Sequence, residues 1–181
     1  VRSITASSIN VGSSDNCSFT MRLDKSSFTC SDIGTNTVKF SVTDLAGNSD
    51  TDMVIVTVLD ASKPNARTRN RTYFLDTNGQ VVGVLPSDFN RFSSDNCSSL
   101  GLTYKLDKDT FECVDIGVNK VLLTVTDSSG NFDTASAIIA ILDNTPPTAV
   151  TQNLMVYLDS LGQDTITASQ INNGSADNCS I

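Results

Sequence analysis

"SFTCSDIGTNTVKFSVTDLAGNSDT", residues 27–51, returns as "TFECVDIGVNKVLLTVTDSSGNFDT", residues 110–134. The step is constant: Cys30 to Cys113, Gly34 to Gly117, Asp44 to Asp127 and Gly47 to Gly130 all share one offset. Outward from this core the same step lays "VLDASKP" (58–64) on "ILDNTPP" (141–147) and "FLDTNGQ" (74–80) on "YLDSLGQ" (157–163). The triplet Asp-Asn-Cys occurs three times, starting at Asp15, Asp95 and Asp177, with slightly shorter steps, so length varies only where loops are expected. A repeat this long is domain-sized, well beyond the unit of a solenoid. The chain therefore divides into residues 1–60, a module lacking its first strand; 61–143, a complete module; and 144–181, the opening of a third. Pro64, Pro146 and Pro147 stiffen the short linkers.

Within a repeat the period is two. Val38, Phe40 and Val42 alternate with Thr37, Lys39, Ser41 and Thr43, the pattern of a half-buried strand. Val54, Val56 and Val58 map onto Ala137, Ile139 and Ile141, and this face is the expected inner one. Met53, Ile55 and Thr57, with Ser136, Ile138 and Ala140, form the outer. Short strands broken by Gly, Asn and Asp turns predict an all-β fold of tandem immunoglobulin-like antiparallel β-sandwich modules, strung as an extended rod. The "LPSDFN" and "ITASQIN" segments predict single helical turns capped by Ser or Thr.

The five cysteines sort by repeat. Pairing inside each module gives Cys17–Cys30 and Cys97–Cys113, closing two short loops, and leaves Cys179 with a partner beyond residue 181. Short loops of this kind stabilise by about 3 kcal/mol each on a chain-entropy scale. Disulfides place the chain outside the reducing cytosol. Zinc would require more ligands than two Cys and no His per repeat provide.

Net charge is −8 with a pI near 4.3, which excludes binding to a nucleic-acid backbone. No run approaches the ~18 apolar residues of a membrane helix. With no His, no Ser-His-Asp triad exists, and no Gly-rich phosphate loop follows a strand, so catalysis is not expected.

Asp-Asn-Cys, Phe-x-Cys-x-Asp-Ile-Gly, Val-Thr-Asp-x-x-Gly-Asn and Leu-Asp-x-x-x-Pro occur in order across the chain. In these motifs the chain resembles the hyalin-repeat-like, immunoglobulin-like tandem modules of Bacteroidota cell-surface adhesins exported by the type IX system, including the gliding-motility adhesins. The resemblance implies an extracellular location on a Gram-negative cell and the work of a spacer, stalk or adhesive filament. Implied partners are adjacent modules of the same chain, surface glycans or other filament subunits. An alternative role is a glycan-binding module acting through the repeated loops, though Trp is absent and Tyr scarce.

Nineteen of the twenty acidic residues are Asp, a turn former and a hard-oxygen calcium ligand. In a sandwich, alternating strands bring the Asp-Asn-Cys loop, the Thr-Asp-x-x-Gly-Asn loop and the preceding linker to one end. This gathers Asp60, Asp95, Asn96, Asp127 and Asn131 in the second repeat, and Asp143, Asp177 and Asn178 in the third. The first offers Asp15, Asn16, Asp44 and Asn48. Calcium is one reading of these sets; the other is side chains that cap their own loops. Arg67, Arg69 and Arg71 share one face of an extended segment, to guard a sheet edge or to meet an acidic glycan or a neighbouring acidic module. Thr134, Ser160 and Thr165 sit in Asp-Ser/Thr-apolar triplets that resemble the O-glycosylation signal of exported Bacteroidota proteins.

Overall fold

A computed structural model describes residues 2–97 and 101–179. The chain is all-β, built of immunoglobulin-like sandwiches whose sheets are largely antiparallel. Two compact units cluster: residues 1–64, 94–103 and 126–132 form one, and residues 65–93, 104–125 and 133–181 the other.

The first repeat supplies β1 (Arg2–Ser3), β2 (Phe19–Leu23), β3 (Ser27–Phe28), β4 (Gly34–Asp44) and β5 (Ser49–Val58). β2, β4 and β5 make one sheet in that order, so β5 is an edge; β1 and β3 pair separately. The β4–β5 hairpin runs from Gly34 opposite Val58 to Thr43 opposite Ser49, a register fixed by the apolar alternation and the turn at Gly47. Gly47 has φ of +93°, which a side chain would make costly.

The second repeat supplies β6 (Arg71–Phe74), β7 (Gln80–Val81), β8 (Leu102–Leu106), β9 (Phe111–Glu112), β10 (Gly117–Asp127) and β11 (Phe132–Leu142). Here the larger sheet has the order β6-β11-β10-β8, and β7 pairs with β9. The added strand, β6, runs parallel to β11 and sets Arg71 opposite Ile139 and Phe74 opposite Leu142. The expected inner face is the core: Val121, Leu123, Val125, Ala137, Ile139 and Ile141 are all buried, with Phe89 and Phe111. Met53 and Ile55 of the expected outer face are 64% and 61% exposed.

Single helical turns stand at α1 (Ala6–Ile9), α2 (Pro86–Phe89) and α3 (Ala168–Ile171). Thr5 caps α1 by accepting from Ser8 N–H, as a helix N-terminus with orphan donors requires. The α2 turn departs from the expected Ser or Thr cap. Leu85 precedes it, makes no side-chain cap bond, and Pro86 at the first position sets the helical φ instead.

The cysteine pairing differs from the expectation. Cys30 bonds Cys97 and Cys113 bonds Cys179, while Cys17 is free and exposed; Cys17–Cys30 and Cys97–Cys113 do not form. Cys179 thus finds its partner inside the chain, not beyond residue 181. Each bond ties the Phe-x-Cys element of one sequence repeat to the Asp-Asn-Cys loop of the next, and both sulfurs of each lie within a single compact unit. The physical reason is distance: the fold brings these Cα atoms to 5.4 and 5.5 Å, inside the range a disulfide spans. Repeats cross-linked only within themselves, as separate beads, are therefore replaced by repeats stapled to their neighbours.

Candidate functional site

The recurring Asp residues do identifiable local work. Asp24 and Asp107 accept from Lys39 N–H and Leu122 N–H, each at 2.8 Å, closing the β2–β3 and β8–β9 connections against the neighbouring strand. Asp32 and Asp115 close the turns that follow β3 and β9, accepting from Thr29 N–H and Glu112 N–H and pairing with Lys25 and Lys108. Those hydrogen bonds, led by the lysine ammonium, hold both carboxyls below the ordinary value of 3.8. Asp76 and Asp159 accept from Gln80 N–H and Gln163 N–H.

Asp44 and Asp127 hold the Thr-Asp-x-x-Gly-Asn turns. Asp127 is 8% exposed and commits both oxygens: Oδ1 accepts from Ser129 N–H and Asn131 N–H, and Oδ2 from Asn131 Nδ2. Burial pushes its pKa up, but the Asn131, Ser129 and Gly130 bonds outweigh that and leave it lowered. Asp44 is lowered chiefly by the Asn48 amide.

The Asp-Asn-Cys loops carry a second layer. Asp15 and Asp95 accept from the N–H of Cys17 and Cys97, an Asx turn that presents the cysteine. Asn96 Nδ2 donates to Asp60 Oδ1 at 3.2 Å, and Asn131 Nδ2 to the Asp60 carbonyl at 3.0 Å. Asp60, Asp95 and Cys97 place one ligand atom each within 4.8 Å of one another, all in the first unit with Asn96, Asp127 and Asn131. In the second unit, Asn178 Nδ2 donates to Asp143 Oδ1 and to the Asp76 carbonyl, both at 3.1 Å. Asp15, Asp44 and Asn48 line one open cleft of about 240 Å³ in the first repeat.

The donor sets fit a hard cation in part. Asp95 Oδ1, Asp177 Oδ1 and Asn178 Oδ1 are buried and have no hydrogen-bond partner among the described residues. A buried carboxylate oxygen left unpaired is costly, and a cation satisfies it. Asp127 does not fit, because its oxygens are spent on its own turn. Cys97 does not fit either, its sulfur being in a disulfide.

Asp76 and Gly79 were not singled out in the sequence. Gly79 has φ of +73°, and a Cβ there would stand 2.6 Å from Cys113 Sγ and from the Asn178 carbonyl oxygen. The glycine is the seat on which the Cys113–Cys179 bond rests. Its recurrence as Gly162 in "DSLGQ" was the available signal.

The arginine face serves the fold. Arg69 and Arg71 each donate from Nε to the Asp88 carbonyl, at 2.8 and 2.7 Å, closing the end of α2. Tyr73 O–H donates to Asp88 Oδ2 at 2.7 Å; burial first, and then this bond, push its pKa up to about 12. Thr134, Ser160 and Thr165 are all exposed.

No protein-family model matches the chain, and no curated protein matches it in sequence. Among solved structures it is similar to the human mucin-like protocadherin EC1-2, at 12% identity and a TM-score of 0.36, over 66% of this chain and 73% of that one. It is similar to the protocadherin gammaB4 extracellular domain at 16% identity and a TM-score of 0.35, over 78% of this chain and 28% of that one. For the human desmocollin-1 ectodomain the figures are 12% and 0.28, over 66% and 29%.

Proposed function

We propose that the chain is a structural repeat region of an extracellular adhesive protein, a spacer or stalk whose repeats, 1–60, 61–143 and 144–181, are modules stapled in series. The observation that carries this reading is the disulfide pattern. A load applied along the chain crosses from Cys30 to Cys97, follows the backbone to Cys113, and crosses again to Cys179. The bonds shunt stretches separated by 67 and 66 residues, leaving only residues 97–113 to extend between them. Single-molecule stretching tests this. The oxidised chain should reach an extended length of at most roughly 55 Å between staples, at about 3.4 Å per residue, and the reduced chain several times more. Full-length extension without reductant would sink the reading.

The resemblance to Bacteroidota type IX adhesins supports a Gram-negative cell surface as the site of that work, with exposed Thr134, Ser160 and Thr165 as glycan acceptors. Intact mass of the native protein checks the second point.

The orphan oxygens of Asp95 and Asp177 favour a cation at these two Asp-Asn-Cys loops, and their hard-oxygen chemistry favours calcium. Asp60 with Asp95, and Asp143 with Asp177 and Asn178, would hold it. Calcium should raise the melting midpoint, and a chelator should reverse the rise. An unmoved midpoint leaves these residues as loop caps alone.

A further inference from the structure

One turn recurs in all three repeats. Asn10, Asn90 and Asn172 each accept, through Oδ1, from the N–H of the serine three residues on, Ser13, Ser93 and Ser175, at 3.0, 3.0 and 2.9 Å. The residue before that serine takes a positive φ every time. In the first and third repeats it is Gly12 and Gly174, at +124° and +89°. In the second it is Phe92, at +57°, the one non-glycine residue with a positive φ among those described. A bulky side chain is disfavoured in left-handed backbone, and such strain persists mainly where function holds it. Packing gives no reason for the phenylalanine, which is 88% exposed.

Two arginines frame it, all within the second compact unit. Arg91 N–H donates to the Arg67 carbonyl and Arg67 N–H to Ser93 Oγ, both at 2.9 Å, so Phe92 lies between two residues bonded to Arg67. The bridge of Thr68 with Asn90 sets Arg67 opposite Arg91 on adjacent extended segments. Like charges placed so repel each other. Both side chains are exposed, and among the described residues neither forms an ion pair. The carboxylates bonded to this segment are engaged elsewhere: Asp88 accepts from Tyr73 O–H, and Asp133 from Ala66 N–H. At the matching positions the third repeat has Val150, Asn173 and Gly174, and the first has Val11 and Gly12 for the last two. A contact that every repeat makes with its neighbour would call for similar residues in each. This patch therefore answers to something other than the next repeat.

We propose that Phe92, Arg67 and Arg91 form a binding site for an anionic glycan, a chain of uronate sugars. The exposed phenyl ring takes the apolar C–H face of a pyranose, and the guanidiniums, planar forks matched to carboxylate, take the acid groups. A nucleic acid also offers anions and flat rings, but a net charge of −8 opposes the approach of a phosphate backbone. A glycan with spaced single charges suits two arginines set in an otherwise acidic chain. The site belongs to the second repeat alone, unlike binding through the repeated loops, and adds a ligand to the work of a spacer.

Calorimetric titration of the whole chain with oligosaccharides of galacturonate, mannuronate and hyaluronan tests this. A chelator is present throughout, so that no cation at the Asp-Asn-Cys loops can bridge carboxylates. Methyl-esterified oligogalacturonate is the uncharged control, and oligothymidylate of matched charge the competing polyanion. At least one uronate chain should bind, roughly tenfold more weakly as salt rises from about 20 to about 200 mM, and neither control should. Phe92→Gly, and Arg67→Val with Arg91→Asn, install the third repeat's residues; each should cut affinity roughly tenfold or more. Phe92→Gly should also hold or raise the melting midpoint, because the left-handed strain is relieved. If the arginine variant misfolds by circular dichroism, the salt dependence of the parent decides in its place. Binding of no uronate chain, equal binding of either control, an affinity that either folded variant or added salt leaves unchanged, or a midpoint that falls in Phe92→Gly overturns the proposal.

Discussion

Val42 and Val125 are the same residue at the same place in two copies of one strand, yet Val125 is fully buried and Val42 only half. The contrast runs through both hairpins. Leu123, Ile139 and Ile141 are 0% exposed, whereas Phe40, Val56 and Val58 remain partly open; Val38, deep against β5, is the exception. The long strands occupy matching stretches of the repeat, Gly34–Asp44 with Gly117–Asp127 and Ser49–Val58 with Phe132–Leu142. What differs in pairing is the edge: β6 hydrogen-bonds alongside β11 in the second repeat, and no described strand pairs along β5 in the first. Burial is thus a property of the neighbours a residue acquires more than of its own letter.

Removing a staple should have the largest effect. Cys113→Ser with Cys179→Ser opens a loop set by a 66-residue separation, worth about 4 kcal/mol on the chain-entropy scale. Denaturant unfolding measures it. Non-reducing peptide mapping must also return Cys30–Cys97 and Cys113–Cys179, with Cys17 reacting with a maleimide. A Cys17–Cys30 peptide would end both the pairing and the stapled-repeat reading.

Next comes the valine pair itself. Val125→Ala should destabilise by about 2.5 kcal/mol, through lost burial and a cavity with no route to collapse. Val42→Ala, on the open side, should lose less than about 1 kcal/mol, since solvent already reaches it. Equal losses would mean that the first hairpin is covered in solution.

Acid titration gives a smaller separation. Asp44 and Asp127 both have lowered folded pKa values, so their contribution is present above the ordinary 3.8 and is lost as pH falls through the folded value. Asn131→Ala removes bonds to Asp127 and to the Asp60 carbonyl, while Asn48→Ala loosens only the exposed Asp44 turn. The first should raise the midpoint of acid unfolding more than the second. Identical midpoints would show that the Asp60 contact adds nothing.

The smallest effect lies in alkali. Tyr73 is raised from 10 to about 12, so the folded state keeps a proton that the unfolded chain gives up. Its contribution is complete below pH 10 and declines from there toward 12. Tyr73→Phe should flatten that decline, read as the pH dependence of the melting midpoint. The first repeat has no described strand matching β6, and no residue there should show it.

Much of the fold could be read from the letters. Alternation at Val38, Phe40 and Val42 names a strand because side chains in extended backbone point to opposite faces. The loop ends gathering Asp60, Asp95, Asn96, Asp127 and Asn131 were legible from strand alternation alone. Their use was not: whether Asp127 binds an ion or its own turn depends on which N–H groups lie within reach, and Ser129 and Asn131 supply them. Arg69 and Arg71 read as a charged face, but the Asp88 carbonyl that occupies them is a tertiary neighbour.

By itself the chain of letters settles a tandem β architecture, an inner and an outer face for each long strand, and cysteines placed to pair. Their partners are a matter of three-dimensional proximity. Loop-closure entropy changes only slowly with length, so spacing gives little preference between a near and a far partner. The folded backbone decides, by bringing Cys30 to Cys97 and Cys113 to Cys179 and leaving Cys17 alone.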